Sequence, residues 1–169
     1  LAGQQLPCLI VNVMRSGPGL GGIKPTQADY YQATRGGGHG DYHTITLAPF
    51  NAQEMFDFPM KAVDMAERYR NPVLILSDAI LGQLKEPAVL EPVGIPQPHP
   101  KPWALTGAKD RPARNLRSMF LQGDDQESLN YTIYDKYAQM ERELPEAVQT
   151  ETEDADILVV AFGSAARIA

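Results

Sequence analysis

Arg15 stands directly after an apolar run, Cys8-Leu-Ile-Val-Asn-Val-Met14, and just before a burst of glycines, Gly17-Pro-Gly-Leu-Gly-Gly22. A guanidinium at the carboxyl end of a strand, framed by backbone that lets a ligand come close, can grip a carboxylate through two parallel hydrogen bonds. The same residue could instead pin a loop to Asp29, Asp41 or Asp78, and the residue types leave those two roles evenly open. Thr26, beside Pro25, reads first as the N-terminal cap of a helix. His39 lies in a second burst, Gly36-Gly-Gly-His-Gly-Asp-Tyr-His43, where an imidazole can donate or accept a proton near neutral pH. His39, Asp41 and His43 alternate and would share one side of an extended segment, as a metal site needs. No third strong ligand accompanies the two imidazoles, so no metal is assigned, and the plainer role is to orient a turn.

The first burst satisfies G-x-G-x-x-G, and Gly17, Gly19, Gly21 and Gly22 are the candidate cofactor-binding positions. For a dinucleotide the third glycine should open a helix whose N-terminus meets the pyrophosphate. Here Ile23-Lys24-Pro25 intervene, and Leu47-Ala48-Pro49 stands where the second strand should end in an acid. Lys24 does not directly follow the second glycine, which removes a P-loop as well. A Rossmann-type nucleotide-binding oxidoreductase is therefore the second reading.

These residues need strands to carry them. Apolar runs at Pro7–Met14, Thr44–Ala48 and Val73–Leu76 read as buried strands, with a short helix over Pro25–Thr34 between the first two. Asn51 and Glu54 form a capping-box pair ahead of a helix with Met55, Phe58, Ala62, Val63, Ala66 and Tyr69 on one stripe. Pro59 should kink or break that helix, and Asn71-Pro72 should stop it. The alternation argues for an α/β architecture, a parallel sheet covered by helices on both faces. Ligands then gather at the carboxyl ends of the strands, beside Arg15, the glycines and Ser77-Asp78.

Pro87 to Pro112 holds seven of the fourteen prolines, including Pro96-Gln-Pro-His-Pro-Lys-Pro102, and reads as an extended linker. Helical spacing resumes over Asp125–Arg142 through Leu129, Ile133, Tyr137 and Met140. Eleven acidic residues between Asp124 and Asp156 face only Lys136 and Arg142, a charge expected on a solvated helix face. Ile157 to Phe162 reads as a further strand, followed by a Gly163-Ser164 turn and the opening of a helix. The expected division is residues 1–86, a linker with an acidic helix over 87–155, and the start of a second α/β unit at 156–169.

The chain has 169 residues, with 15 Lys plus Arg against 21 Asp plus Glu. An acidic chain gains little from counterion release, so nucleic acid is excluded as a partner. Ile157–Phe162 is the longest apolar run, far short of the ~20 residues of a membrane span. Cys8 is the only cysteine, which rules out an internal disulfide and a thiolate cluster supplied by this chain, and suits the cytoplasm. The chain starts without Met and stops about one turn into a helix, so it is expected to be an internal excerpt of a longer protein.

Asn12-Val-Met-Arg-Ser-Gly-Pro-Gly-Leu-Gly-Gly-Ile-Lys-Pro-Thr-Gln-Ala-Asp29, followed by Gly36-Gly-Gly-His-Gly-Asp41, resembles the alpha subunit of 2-oxoacid:ferredoxin oxidoreductases. Ala48-Pro-Phe-Asn-Ala-Gln-Glu-Met55, Tyr69-Arg-Asn-Pro-Val-Leu-Ile-Leu-Ser-Asp78 and Trp103-Ala-Leu-Thr-Gly107 continue the likeness, over most of residues 1–122. It is nearest to the 2-oxoglutarate and branched-chain (2-oxoisovalerate) types. The stretch from Asp156 to Ala169 is similar to the start of a transketolase C-terminal-like domain.

The resemblance implies part of the pyrimidine-binding domain of a thiamine-diphosphate fold. It implies a cofactor shared with a beta subunit that carries the diphosphate, magnesium and a [4Fe-4S] cluster, with gamma and delta subunits as further partners. The implied reaction is CoA-dependent oxidative decarboxylation of a 2-oxoacid, with electrons passed to ferredoxin. Arg15 matches the family's substrate-carboxylate arginine and Thr26 a threonine lining the 2-oxoacid pocket; His39 is carried as a second catalytic candidate. The family's thiamine-activating glutamate and its Tyr-Pro-Ile-Thr-Pro motif are expected upstream of Leu1, so activity is not expected from this stretch alone.

Overall fold

The structure is a computed structural model that describes residues 1–91 and 98–169. Its centre is a three-stranded parallel sheet of β1 (Cys8–Met14), β2 (Ile45–Leu47) and β3 (Pro72–Asp78), in the order β1-β3-β2. All seven residues of β1 pair with β3, from Cys8 opposite Pro72 to Met14 opposite Asp78. β3 is buried at every position but Leu74, as a central strand with the apolar run Pro72–Leu76 should be, and it buries Ser77 and Asp78 at its end.

The two faces are not equally covered. On one face α2 (Ala52–Tyr69) and α3 (Gly123–Glu143) close a core of Ile45, Ala62, Ala66, Tyr69, Val73, Ile75, Tyr137 and Met140. On the other, Met14, Ala33 and Leu76 form a small cluster with Leu74 and Phe162. The expectation that β1 is a buried strand is corrected. It is an edge strand, and Ile10, Val11 and Val13 are 40%, 52% and 50% exposed.

The expected helix over Pro25–Thr34 shrinks to α1 (Tyr30–Thr34), because Pro25 pairs with Arg15 in an antiparallel bridge and its backbone is spent on that pairing. α2 follows its sequence signals closely. The Asn51 side chain accepts the Glu54 N–H at 2.8 Å, and the Glu54 carboxylate accepts the Phe50 N–H at 3.0 Å, so the reciprocal cap is present one residue displaced. The helix runs unbroken through Pro59 and ends where Arg70 turns left-handed at φ 49°. Val63, expected on its apolar stripe, is 45% exposed.

α3 buries Tyr137 and Met140 and keeps Glu127, Asp135 and Glu141 in solvent, the solvated acidic face expected. Tyr69 donates to Glu143 at 2.6 Å and Arg68 does the same, so α3 is also tied to the end of α2. The Pro-rich stretch includes residues 92–97, which lie outside the described residues. Residues 98–112 form no helix or strand and are held to α2 by His99 on Asp64 (2.8 Å) and Lys101 on Glu67 (2.5 Å).

The strand expected over Ile157–Phe162 is not formed. Ile157 and Val160 are 82% and 87% exposed, because among the described residues no neighbouring strand offers the segment a ladder. The helix expected after it is present as α4 (Gly163–Ile168).

Candidate functional site at the carboxyl edge of the sheet

Arg15 leaves β1 beside the Met14–Asp78 pair, at the carboxyl edge. Its Nη1 donates to the carbonyl of Leu20 and, at 2.9 Å, to that of Gly22. Backbone bonds from Ser16 to Lys24 and from Gly22 to Ser16, both 3.0 Å, close the same loop. Gly21 is obligatory there: at φ +54° a Cβ would lie 2.0 Å from the Ser16 carbonyl oxygen. Gly17 and Gly19 face open space.

None of the carboxylates considered for Arg15 takes it. Asp29 accepts from Asn12 at 3.0 Å, and Asp78 accepts from Ile80, Leu81 and Ser164. Arg15 is exposed, and among the described residues it forms no ion pair. The guanidinium thus organises the glycine loop and leaves its charge unneutralised. That loop turns back onto Pro25, and the next helix starts only at Tyr30. No helix N-terminus follows it directly, which removes the dinucleotide reading.

Thr26 caps nothing, since α1 begins four residues on. Its Oγ1 is buried without a hydrogen-bond partner among the described residues. A buried hydroxyl in that state costs about 1–3 kcal/mol unless something else satisfies it. Pro25, the neighbour of Thr26, is bridged to Arg15, so the two stretches run side by side, with the guanidinium exposed in the glycine loop and the Thr26 hydroxyl buried.

Asp78 is 1% exposed. Burial works to raise its pKa, but the Ser164 side chain and the N–H groups of Leu81, Ser164 and Ile80 outweigh that, and the carboxyl sits below its usual value. Ser77, its neighbour, buries an Oγ that has no hydrogen-bond partner among the described residues. Sequence reading singled out Ser77-Asp78 by position at a strand end. The partners of Asp78 lie too far along the chain for spacing to reveal, as does the bond from Gln27 to the Phe162 carbonyl at 2.7 Å.

His39 is not brought to Arg15 and Thr26. It lines an open cleft of ≈ 680 Å³ on the bare side of β1, with Asn12, Asp29, Gln32, Tyr42 and Thr44. His43 is turned elsewhere, stacked on Tyr137 with ring centroids 4.6 Å apart. His39, Asp41 and His43 do not converge, and among the described residues no group of three or more His, Cys, Asp or Glu side chains is arranged for a metal.

Comparison with known proteins gives this edge a context. Residues 1–156 match the family described as pyruvate flavodoxin/ferredoxin oxidoreductase, thiamine diphosphate-binding. The ketoisovalerate oxidoreductase subunit VorB of Methanothermobacter marburgensis is 44% identical over the whole chain, which spans 48% of that relative. The 2-oxoglutarate synthase subunit KorA of Methanocaldococcus jannaschii is 44% identical over 89 residues, 51% of this chain and 24% of the relative. The chain thus spans about half the length, or less, of these curated relatives. Among solved structures, a 2-oxoglutarate:ferredoxin oxidoreductase from Magnetococcus marinus, with 2-oxoglutarate, coenzyme A and succinyl-CoA bound, aligns at a TM-score of 0.61 and 22% identity. That alignment covers 89% of this chain and 32% of the other, and it shows a shared fold. With the parallel sheet, its carboxyl-edge loop and the match over residues 1–156 in agreement, the chain belongs to the thiamine-diphosphate-binding domain family of the pyruvate flavodoxin/ferredoxin oxidoreductases.

Proposed function

We propose that this chain is part of the alpha-type subunit of a 2-oxoacid:ferredoxin oxidoreductase, acting on 2-oxoglutarate or a branched-chain 2-oxoacid with coenzyme A. The observation that carries the reading is an exposed Arg15 at the carboxyl edge of the sheet, free of ion pairs among the described residues, on a loop bridged to the stretch that carries the buried Thr26 hydroxyl. Arg15 holds the substrate carboxylate, and Thr26 donates to an oxygen of the same molecule. The relatives' names and family membership support the substrate class.

The residues present fit one side of a thiamine-diphosphate site. Gly17 and Gly19 offer open backbone, Gly21 and Gly22 shape the loop, and the Thr26 hydroxyl awaits a polar partner. No helix N-terminus directly follows the glycine loop to receive a diphosphate, which suits a cofactor whose diphosphate and magnesium rest on a beta subunit. When bound, thiamine diphosphate supplies the nucleophilic carbon and the electron sink that decarboxylation requires. Arg15 and Thr26 orient the keto acid, and His39 handles a proton from the neighbouring cleft. Cys8 is the sole thiol of this chain, so this stretch cannot by itself ligate a [4Fe-4S] cluster, which the proposal assigns to the partner.

The remaining assignments complete this proposal. Residues 1–86 belong to the pyrimidine-binding domain, 87–155 to the linker and acidic helix, and 156–169 to the start of a transketolase C-terminal-like domain. Beta, gamma and delta subunits and ferredoxin are the partners, in the cytoplasm. Among the described residues no helix is long and apolar enough to cross a membrane. The test is turnover of the assembled enzyme with a panel of 2-oxoacids, coenzyme A and ferredoxin. Thiamine-dependent reduction of ferredoxin by 2-oxoglutarate or 2-oxoisovalerate is expected; reduction indifferent to thiamine diphosphate would overturn the reading.

A further inference from the structure

Three distant stretches meet at Gly163. Its φ is +57°, and a Cβ there would lie 3.1 Å from Gln27 Nε2 and 3.4 Å from Asp78 Oδ2. Gln27 donates to the Phe162 carbonyl at 2.7 Å, and the Ser164 N–H donates to Asp78 Oδ2 at 3.2 Å. The other oxygen of Asp78 accepts from Ile80 and Leu81 at 3.0 and 3.2 Å. One buried carboxylate therefore joins the end of β3, the turn after it and the start of α4.

The far end of α4 is fastened as well. Arg167 pairs with Glu86 at 2.7 Å, and Glu86 also accepts the Ala52 N–H at the start of α2. Just ahead of these anchors the Phe162 carbonyl accepts from Gln27, and the Tyr30 and Phe162 rings lie 5.4 Å apart. Gln27, which that carbonyl holds, is the chain neighbour of Thr26.

Asp78 is too deeply buried to touch a substrate, so its reach to the site is indirect. Charge-assisted bonds of this kind are stronger and more directional than neutral ones, which suits a part that sets geometry. We propose that Asp78 is a positioning residue for the 2-oxoacid site: it holds Gly163–Ser164 so that the Phe162 carbonyl fixes Gln27, and with it the Thr26 hydroxyl. This rests on the role given to Thr26 above.

The test uses the assembled enzyme carrying Asp78→Asn, Gln27→Leu or both, with kinetics on the 2-oxoacid and amide exchange over residues 26–30. Asn keeps an acceptor for the turn but replaces one oxygen with a donor that faces the Ser164 N–H. Each single variant is expected to raise KM for the 2-oxoacid about three- to tenfold with kcat within about twofold, the scale of one lost hydrogen bond. The double variant should add little to the larger single effect, because both act along one path. In a Thr26→Val background, Asp78→Asn should leave KM where Thr26→Val put it. Faster exchange over 26–30 should accompany Asp78→Asn.

An unchanged KM in both single variants, with faster exchange at Ser164 alone, would make Asp78 a structural tie and overturn the proposal. Should Asp78→Asn fail to fold, Gln27→Leu decides by itself, and an unchanged KM there is equally fatal. If the unaltered enzyme turns over no 2-oxoacid, it is the proposed function that fails. Exchange over 26–30 then still judges the tie, and no change in Asp78→Asn would reject it.

Discussion

The Nη1 of Arg15 lies 2.9 Å from the carbonyl oxygen of Gly22, so the residue offered to substrate also holds its own loop in shape. The two duties separate on substitution. Arg15→Ala loses both and should lower kcat/KM of the assembled enzyme by roughly 2–4 kcal/mol of transition-state stabilisation, with a smaller loss of thiamine diphosphate affinity from the loosened glycine loop. Arg15→Lys retains the charge but cannot span two acceptors in a plane, and should recover less than half of that loss. Steady-state kinetics beside a cofactor titration checks both, and an unaltered kcat/KM in Arg15→Ala removes the residue from the site.

Thr26 allows stability and function to be read in opposite directions. Its Oγ1 is buried without a partner among the described residues, so Thr26→Val removes a polar atom that they leave unsatisfied. The substitution should raise unfolding free energy by about 1 kcal/mol in the absence of substrate. It should weaken substrate binding by a similar amount or more. Chemical denaturation and KM on the same preparation test this, and a stability loss would mean that the hydroxyl already has a partner.

The glycine burst is not uniform, although its sequence suggests that it is. Gly21→Ala would drive a Cβ to 2.0 Å from the Ser16 carbonyl in a left-handed backbone, and should cost roughly 2 kcal/mol or more. Gly17→Ala meets nothing within 4 Å and should change stability by less than about 0.5 kcal/mol. Thermal melts of the two variants decide it. Equal effects would show that the Ser16–Lys24 loop is open in solution.

The parts of this fold that were legible in sequence are those set by local chemistry. β3 announced itself as an apolar run, and α2 through its Asn51–Glu54 cap and its spaced apolar residues. Tyr137 and Met140 of α3 faced inward as their spacing required. What failed depended on partners distant in sequence. Among the described residues, β1 has the composition of a central strand yet lies at an edge, and Ile157–Phe162 has that of a strand but no strand beside it. The Arg15–Pro25 bridge shortened α1, and nothing in the residues around Pro25 signals that pairing. At the candidate site, residue type and position singled out Arg15, Thr26 read by type as a helix cap that the structure does not form, and the Asp78–Ser164 bond spans 86 residues and has no local signature.

Lys136 and Tyr69 together shape the alkaline stability of the protein. Lys136 Nζ donates to the Arg70 carbonyl at 3.2 Å, above the Tyr137 ring. Burial, with the Arg70 charge adding to it, pulls its pKa down from 10.5 to about 8. Between those values the unfolded chain binds more protons than the folded one, so stability rises with pH from about 8 toward 10.5. Tyr69 acts in the opposite sense. Burial, and then its bond to Glu143, raises its pKa from 10.0 to about 12, so its contribution is whole below pH 10.0 and is lost toward about 12. Unfolding free energy should therefore climb above pH 8, peak near pH 10 and then fall. Lys136→Met should flatten the climb and raise the melting temperature at pH 7, since no buried charge then opposes folding. Tyr69→Phe should blunt the fall. Denaturant melts across pH 7 to 11 follow both limbs, and a Lys136→Met profile parallel to the unaltered protein would show that the ammonium is fully solvated.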